Sequence, residues 1–330
     1  GGNQMKLFKK TLSLLLILLS AFTAIAHADK DSEFKAQLEV LKSPIQLMLE
    51  TGKANLRCGD QFYLPFIEES IIPADEFAAY KSNMKGEATT SDPSVAEVTK
   101  DGLIRILKNG KVRITYTENS KESLLDINVA DEHQPLSIQN LIYIANYEYL
   151  NTAMARLPKY NKYAKWYYKK QKEVGWCSVF SSYVTNASGL PAFKHDTVDL
   201  NSLSANKAFG LLEGQVGHQW DGFHSVDRFT NIPKPGYYVI YGNRKNAYKY
   251  THIGLVVEAA ALENGKYRIR TVEGNMSNTV KSYCYLYDSS ISHPKENMFE
   301  LPQNERSNPL YQYTLHTNFW SVFGFCATWE

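Results

Sequence analysis

The hydrophobic residues of this chain change period twice, and that change limits the folds open to it. From Pro44 they fall at every second position, in Ile45-Gln46-Leu47-Met48-Leu49, Gln61-Phe62-Tyr63-Leu64 and Val112-Arg113-Ile114-Thr115-Tyr116. Such alternation is the mark of half-buried strands. After Ser137, a candidate helix cap, the spacing becomes helical: Ile138, Leu141, Ile142, Ala145 and Tyr149 share one face over about five turns. From Pro235 period two returns, over 237–241, 251–258 and 267–273. A chain of 330 residues has room for two domains. The pattern predicts a small antiparallel β-sandwich over 44–130 and an α+β domain, helices packed on an antiparallel sheet, over 131–330. Asp101-Gly102 and Asn109-Gly110 mark turns, the second with the strongest short hairpin signal. A short helical lead-in occupies 29–43, with Phe34, Leu38 and Leu41 on one face.

The N-terminus reads as an export signal. Gly1 to Gln4 precede the candidate initiator Met5 and read as a tag remnant, so that residues 1–28 comprise remnant and signal peptide. Lys6, Lys9 and Lys10 form a basic start, 14–26 an apolar run, and Ala26-His27-Ala28 a small-x-small cleavage site. The run is short for a membrane span, and no later stretch reads as one. An exported chain beginning near Asp29 is expected, in the periplasm or outside the cell, with no integral membrane segment after cleavage. Removing three lysines from 36 basic residues leaves 33 against 34 acidic ones. A near-neutral chain does not call for a nucleic-acid partner.

Four cysteines then need roles: Cys58, Cys177, Cys284 and Cys326. In an exported protein an unpaired thiol needs a reason. Cys58 reads as a core residue in a strand, and Cys284 with Cys326 as the candidate disulfide. Cys177 stands apart. Gly175 frees the backbone before it, and Val179, Phe180, Tyr183 and Val184 recur after it at helical spacing until Gly189-Leu190-Pro191. That places the thiol in the first turn of a helix, where unpaired amide N–H groups and the helix dipole favour a thiolate. The preceding stretch interleaves lysines with Tyr160, Tyr163, Trp166, Tyr167 and Tyr168, and reads as a solvated helix face with stacked aromatics.

A histidine partner follows from strand parity. The Asn264-Gly265 turn should fold the strand carrying His252 back onto the strand ending at Glu273. If the turn is central, Gly254 faces Asn275 and Val256 faces Glu273; a longer loop puts His252 opposite Glu273. In either register His252, Glu273 and Asn275 project from one face, and Gly254 leaves room beside the histidine. A thiol at a helix start, an imidazole on a strand and a carboxylate or amide behind it form a cysteine-hydrolase constellation. Cys177 would attack a carbonyl, His252 would move the proton, and Glu273 or Asn275 would orient the ring. Trp176, Trp220 and Asp221 are the candidate substrate-binding residues. His218 and His224 with Asp221 lack a compact zinc pattern, so no metal and no cofactor is expected.

Two resemblances accord with this division. Thr90-Ser91-Asp92-Pro93-Ser94-Val95-Ala96-Glu97-Val98, Asp101-Gly102-Leu103-Ile104 and Gly110 to Thr115 resemble the bacterial immunoglobulin-like domain, group 2, over roughly 44–130. That resemblance implies a spacer or adhesive module and no chemistry. Trp176-Cys177-Ser178-Val179-Phe180, Pro235-Gly236-Tyr237-Tyr238-Val239-Ile240, His252-Ile253-Gly254-Leu255-Val256, Glu273-Gly274-Asn275 and Val322-Phe323-Gly324-Phe325 resemble the CHAP family, cysteine, histidine-dependent amidohydrolases/peptidases, over roughly 137–328. The family implies a papain-like α+β fold and cleavage of peptidoglycan amide bonds, either the sugar-to-alanine amide or one between peptide residues. Cys177, His252, Glu273 and Asn275 fall on its motif positions. Tyr237 stands where the family usually has aspartate, which implies a changed local hydrogen bond. The alternative reading is a non-catalytic wall-binding or adhesive protein on a CHAP-like domain.

Overall fold

The computed structural model describes residues 30, 32–63, 86–153, 155–170, 172–246, 250–315 and 320–330. The export signal and Leu64 lie outside the described residues. Residues 32–40 are helical, in a unit that ends at Leu41. The second unit runs from Lys42 to Glu330.

The first element of that unit corrects the sequence reading. Residues 45–49 belong to a helix, α1 (Pro44–Thr51), and not to a strand. End chemistry decides it. The Ser43 hydroxyl accepts from the Gln46 amide at 3.1 Å, and the Gln46 side chain accepts from the Ser43 amide at 2.7 Å. Pro44 is pre-set for the first helical position, and Gly52 closes the helix at φ 63°. Ile45 and Met48, three apart, are buried while Leu47 is exposed, which is helical spacing.

Among the described residues seven strands follow: β1 (Lys53–Leu56), β2 (Gln61–Tyr63), β3 (Glu87–Thr90), β4 (Ala96–Val98), β5 (Leu103–Ile106), β6 (Gly110–Glu118) and β7 (Lys121–Val129). They form sheets of order β1-β7-β6-β3 and β2-β5-β4, with β1 parallel to β7. Leu56, Ile114 and Ile127 from one sheet share a core with Phe62, Ala96 and Ile104 from the other. Thr99 to Gly102 turns β4 into β5, Gly102 sitting at φ 82°. Asn109-Gly110 is not a hairpin. It joins β5 to β6, which lie in different sheets. The hairpin is at Asn119 and Ser120, whose φ values of 48° and 61° match the twist of a two-residue loop.

The remaining elements are α2 (Leu136–Thr152), α3 (Lys162–Tyr168), α4 (Cys177–Ala187), β8 (Ala192–Phe193), β9 (Gly210–Leu211), α5 (Val216–His224), β10 (Phe229–Thr230), β11 (Tyr238–Asn243), β12 (Tyr250–Ala261), β13 (Lys266–Glu273), β14 (Lys281–Asp288), β15 (Met298–Glu300) and β16 (Trp320–Cys326). An antiparallel sheet of order β10-β16-β11-β12-β13-β14-β15 carries α2 and α4 against β12. Ser137 does not cap α2. Asp60, from the loop after β1, accepts the Leu136 amide at 3.0 Å, together with the Arg57 amide at 2.8 Å and the Asn206 side chain at 3.0 Å. One buried carboxylate thus joins the first sandwich to the start of α2 and to a loop before β9. Among the described residues no helix is long and apolar enough to cross a membrane.

All four cysteines are free. Cys284 on β14 and Cys326 on β16 have three strands between them, roughly 19 Å at the usual strand spacing and far beyond disulfide reach. Cys58 lies in the turn after β1, half-buried, its thiol 2.9 Å from the Leu107 carbonyl, and not in the core. The Tyr237 hydroxyl donates to the Trp329 carbonyl at 2.8 Å, a hydrogen bond an aspartate could not donate.

Candidate active site

Cys177 is the first residue of α4, behind Trp176, which supplies no side-chain cap. The amide N–H groups of that first turn are left for ligands other than the helix. Cys177 is half-buried as a residue, and its thiol is turned to His252, a buried residue of β12. It is hydrogen-bonded to the imidazole and accepts from the amides of Ser178 and Ile253. On the far side of the ring, His252 Nε2 lies 2.9 Å from Glu273 Oε2. Nδ1 is therefore the nitrogen left for the thiol.

Glu273 is wholly buried at the end of β13. Its second oxygen accepts from the Tyr241 hydroxyl at 2.7 Å and the Thr271 hydroxyl at 2.6 Å, and Tyr241 in turn contacts the Tyr285 hydroxyl at 2.9 Å. The strands bring the pair together through a bulge. Near the turn Glu258 pairs with Arg270, but beyond Val257 the register slips so that Val256 pairs with Thr271 and Leu255 with Val272. Continued one step, this sets Gly254 opposite Glu273, a register between the two that the sequence allowed. A Cβ on Gly254 would stand 2.7 Å from Glu273 Cγ. The room beside the histidine is filled by the Glu273 side chain, which crosses Gly254 to reach the ring. Gly274 serves the next contact: a Cβ there would lie 2.5 Å from Phe180 Cβ, so only glycine lets the end of β13 press against α4.

Charge and burial act in opposite directions on this pair. Burial drives the Cys177 thiol up, but the hydrogen bond and charge of His252, with the amides of Ser178 and Ile253, outweigh it and hold the thiol below its ordinary value. Burial drives His252 down, and the partners Cys177 and Glu273 outweigh it and hold the imidazole above its ordinary value. Both directions favour thiolate and imidazolium. By contrast Cys58, Cys284 and Cys326 are all raised, foremost by burial.

Asn275 does not share the ring with Glu273. It is half-buried at φ 64°, and a Cβ on Gly175 would lie 3.6 Å from its Nδ2, so its amide sits beside the residues leading into Cys177. Trp176 cannot line a cleft. It is fully buried, stacked on Tyr163 at 5.3 Å, with its Nε1 unpartnered. Tyr163 is the hub of the lysine-rich segment, packing also on Phe180 and Tyr183, and its hydroxyl donates to buried Glu148 at 2.6 Å. Trp220 is half-buried, stacked on His224 and Tyr250, and Asp221 is exposed. Sequence reasoning missed Trp320, which stacks on His252 at 5.1 Å and on Tyr241 at 6.0 Å. It also missed Tyr241, which pairs with His252 across β11 and β12.

The metal-ligating side chains group differently from the sequence reading. His218 meets neither Asp221 nor His224 as a ligand partner but His195 and Glu213, their donor atoms all within 4.8 Å of one another. Residues 23 apart in sequence meet here because β8 and β9 lie side by side.

No family model matches the chain, and no curated protein matches it. Among solved structures the chain is similar to the crystal structure of a bacterial Ig-like domain containing GH10 xylanase from termite gut, at 18% identity. The match covers 46% of this chain and 27% of that one, with a TM-score of 0.20, a likeness too slight to argue from.

Proposed function

We propose that this chain is an exported cysteine amidohydrolase or peptidase of the CHAP kind, papain-like in fold, that cleaves amide bonds in peptidoglycan. An immunoglobulin-like sandwich at its N-terminal side serves as spacer or wall-adhesive module. The reading rests on one observation above all: a thiol at the start of α4, hydrogen-bonded to an imidazole whose other nitrogen is 2.9 Å from a fully buried carboxylate. Sugar-peptide polymer as substrate is supported by the motif resemblance and the export signal, and the region of action is the periplasm or the cell exterior.

In this mechanism the Cys177 thiolate attacks the amide carbonyl, and the developing oxyanion is met by the Cys177 backbone N–H at the helix start, with the Asn275 amide nearby. The His252 imidazolium gives its proton to the leaving amine. The neutral ring then takes a proton from water, which attacks the thioester and frees the thiolate. Glu273 holds the ring by Nε2 throughout and stabilises its charged form. Neither step requires a cofactor.

The test is digestion of purified peptidoglycan by the wild-type protein and by Cys177→Ser, with mass spectrometry of the released fragments and a count of new amines. Wild-type protein should release fragments with new amino ends at one type of bond, and Cys177→Ser should release none. Binding without release by both proteins would support a wall-binding module and reject the enzyme.

A further inference from the structure

A second cluster lies away from the thiol. β8 and β9 run parallel, with Ala192 beside Gly210 and Phe193 beside Leu211. Carrying that offset two residues on sets His195 beside Glu213, and the His195 amide donates to Glu213 Oε1 at 3.0 Å. The first turn of α5 brings His218 to the same carboxylate. Oε1 is 2.9 Å from His195 Nδ1, and Oε2 is 3.3 Å from His218 Nδ1. The two rings stack at 4.1 Å, inclined by 17°.

Three features make this a coordination site in shape as well as composition. First, both imidazoles turn the same nitrogen toward one carboxylate, so three donor atoms converge. A tetrahedral ion with bonds of about 2.0–2.2 Å holds its ligand atoms about 3.3–3.6 Å apart, and these donor atoms, all within 4.8 Å of one another, come to that spacing when the two stacked rings splay apart around an ion. Second, the Glu213 side chain is 6% exposed while His195 and His218 are 30% and 35% exposed. The carboxylate forms the floor and the imidazoles the rim, leaving a further position open to water. Third, the floor is held from behind. The Glu213 carbonyl accepts from the Ser178 hydroxyl at 2.6 Å and the Ser182 hydroxyl at 2.8 Å, and its amide donates to Ser182 at 2.7 Å. Fixed support of this kind orients ligands in protein metal sites. Two neutral imidazoles and one carboxylate suit zinc, cobalt, nickel or copper over magnesium or calcium, which take oxygen ligands.

We propose that His195, Glu213 and His218 bind one divalent transition-metal ion of the zinc class, through Nδ1 of each imidazole and the Glu213 carboxylate. Because Ser178 and Ser182 lie on α4, the bound ion would brace the segment leading into α5 against the helix that carries Cys177. The site is independent of the hydrolase reading, since none of its three ligands belongs to the thiol centre.

The probes are Co2+ followed by visible absorption and Zn2+ followed by calorimetry, on the full-length protein carrying Cys177→Ser so that the reactive thiol cannot bind. One equivalent of either ion should bind, with cobalt d–d bands and no thiolate-to-cobalt charge-transfer band. His195→Ala and His218→Ala, each in that background, should weaken binding by more than about 100-fold, the upper end of what loss of a supporting partner alone costs. The metal should also raise the melting temperature of the parent but not of either variant. Absence of stoichiometric binding by the Cys177→Ser protein would overturn the proposal whatever the variants do. Binding that persists undiminished in a folded His195→Ala, His218→Ala double variant would overturn it equally.

Discussion

Glu273 Oε2 stands 2.9 Å from His252 Nε2, and the carboxylate reaches the ring across the one residue of β12 that has no side chain, Gly254. Orientation of the imidazole therefore depends on a carboxylate with no access to water, held at its other oxygen by Tyr241 and Thr271.

Replacing Glu273 by glutamine should remove the negative charge that favours the His252 imidazolium. The folded-state pKa of His252 then falls and that of Cys177 rises. Thiolate and imidazolium coexist only between these two values, so the pH profile of kcat/KM should narrow from both limbs, with a loss on the order of 10³-fold at its maximum. Asn275→Ala, away from the ring, should lower the rate and leave both limbs in place. An Asn275→Ala profile that shifts while that of Glu273→Gln does not would reverse the two roles.

Gly254→Ala probes the same relationship sterically. Its Cβ would meet Glu273 Cγ at 2.7 Å, so the carboxylate must move off the imidazole. Overpacking of this kind costs about 1–3 kcal/mol, which urea unfolding would register. The expected signature is a folded protein whose kcat falls more than its KM changes. Unaltered kcat would show that Glu273 does not need to cross this position.

How much of this was legible in the sequence depended on which signals are local. Cys177 at a helix start and His252 on a strand followed from period and punctuation. The shared face of His252 and Glu273 was legible because both registers considered kept the same parity. What the pattern could not show is the bulge at Val257. Nearer the turn even-numbered residues pair with even-numbered ones, and the slip alone restores the pairing that serves the site. Residues 45–49 misled because three alternating apolar residues fit a short helix as well as a strand, and the Ser43–Gln46 capping box decided between them. Trp320 and the His195–Glu213–His218 cluster depend on sheet order and on a two-residue parallel pair, neither of which leaves a periodic trace.

Trp176 is expected to act on stability. Its ring is buried on Tyr163 and its Nε1 has no partner, so Trp176→Phe removes packing without breaking a hydrogen bond. A loss of about 1–3 kcal/mol in unfolding free energy with unchanged KM is the expected result. A raised KM at full stability would assign Trp176 to substrate after all.

Asp60 should give the fold a pH dependence of its own. Burial pushes its carboxyl up from 3.8 to about 6, against the pull of the Arg57 and Leu136 amides and Asn206. The folded state then holds the proton more tightly than the unfolded chain, so this group's contribution falls as pH rises from about 4 to about 6 and is level outside that window. The full change is roughly 3 kcal/mol. Urea midpoints across this range should show the slope in wild type and not in Asp60→Asn. Parallel profiles would contradict the assignment.

The central claim is a thiolate–imidazolium pair at Cys177 and His252, and the most direct measurement is the pH dependence of alkylation at each cysteine by iodoacetamide, read by peptide mapping. Cys177 should label with an apparent pKa well below that of a free thiol, about 8.5. Cys58, Cys284 and Cys326, raised chiefly by burial, should stay largely unlabelled at neutral pH. His252→Ala should remove the low-pH labelling of Cys177, because the imidazole is the foremost of the partners that outweigh its burial. Labelling of Cys177 with the pKa of a free thiol or higher, or low-pH labelling that survives His252→Ala, would contradict the pair and the hydrolase built on it.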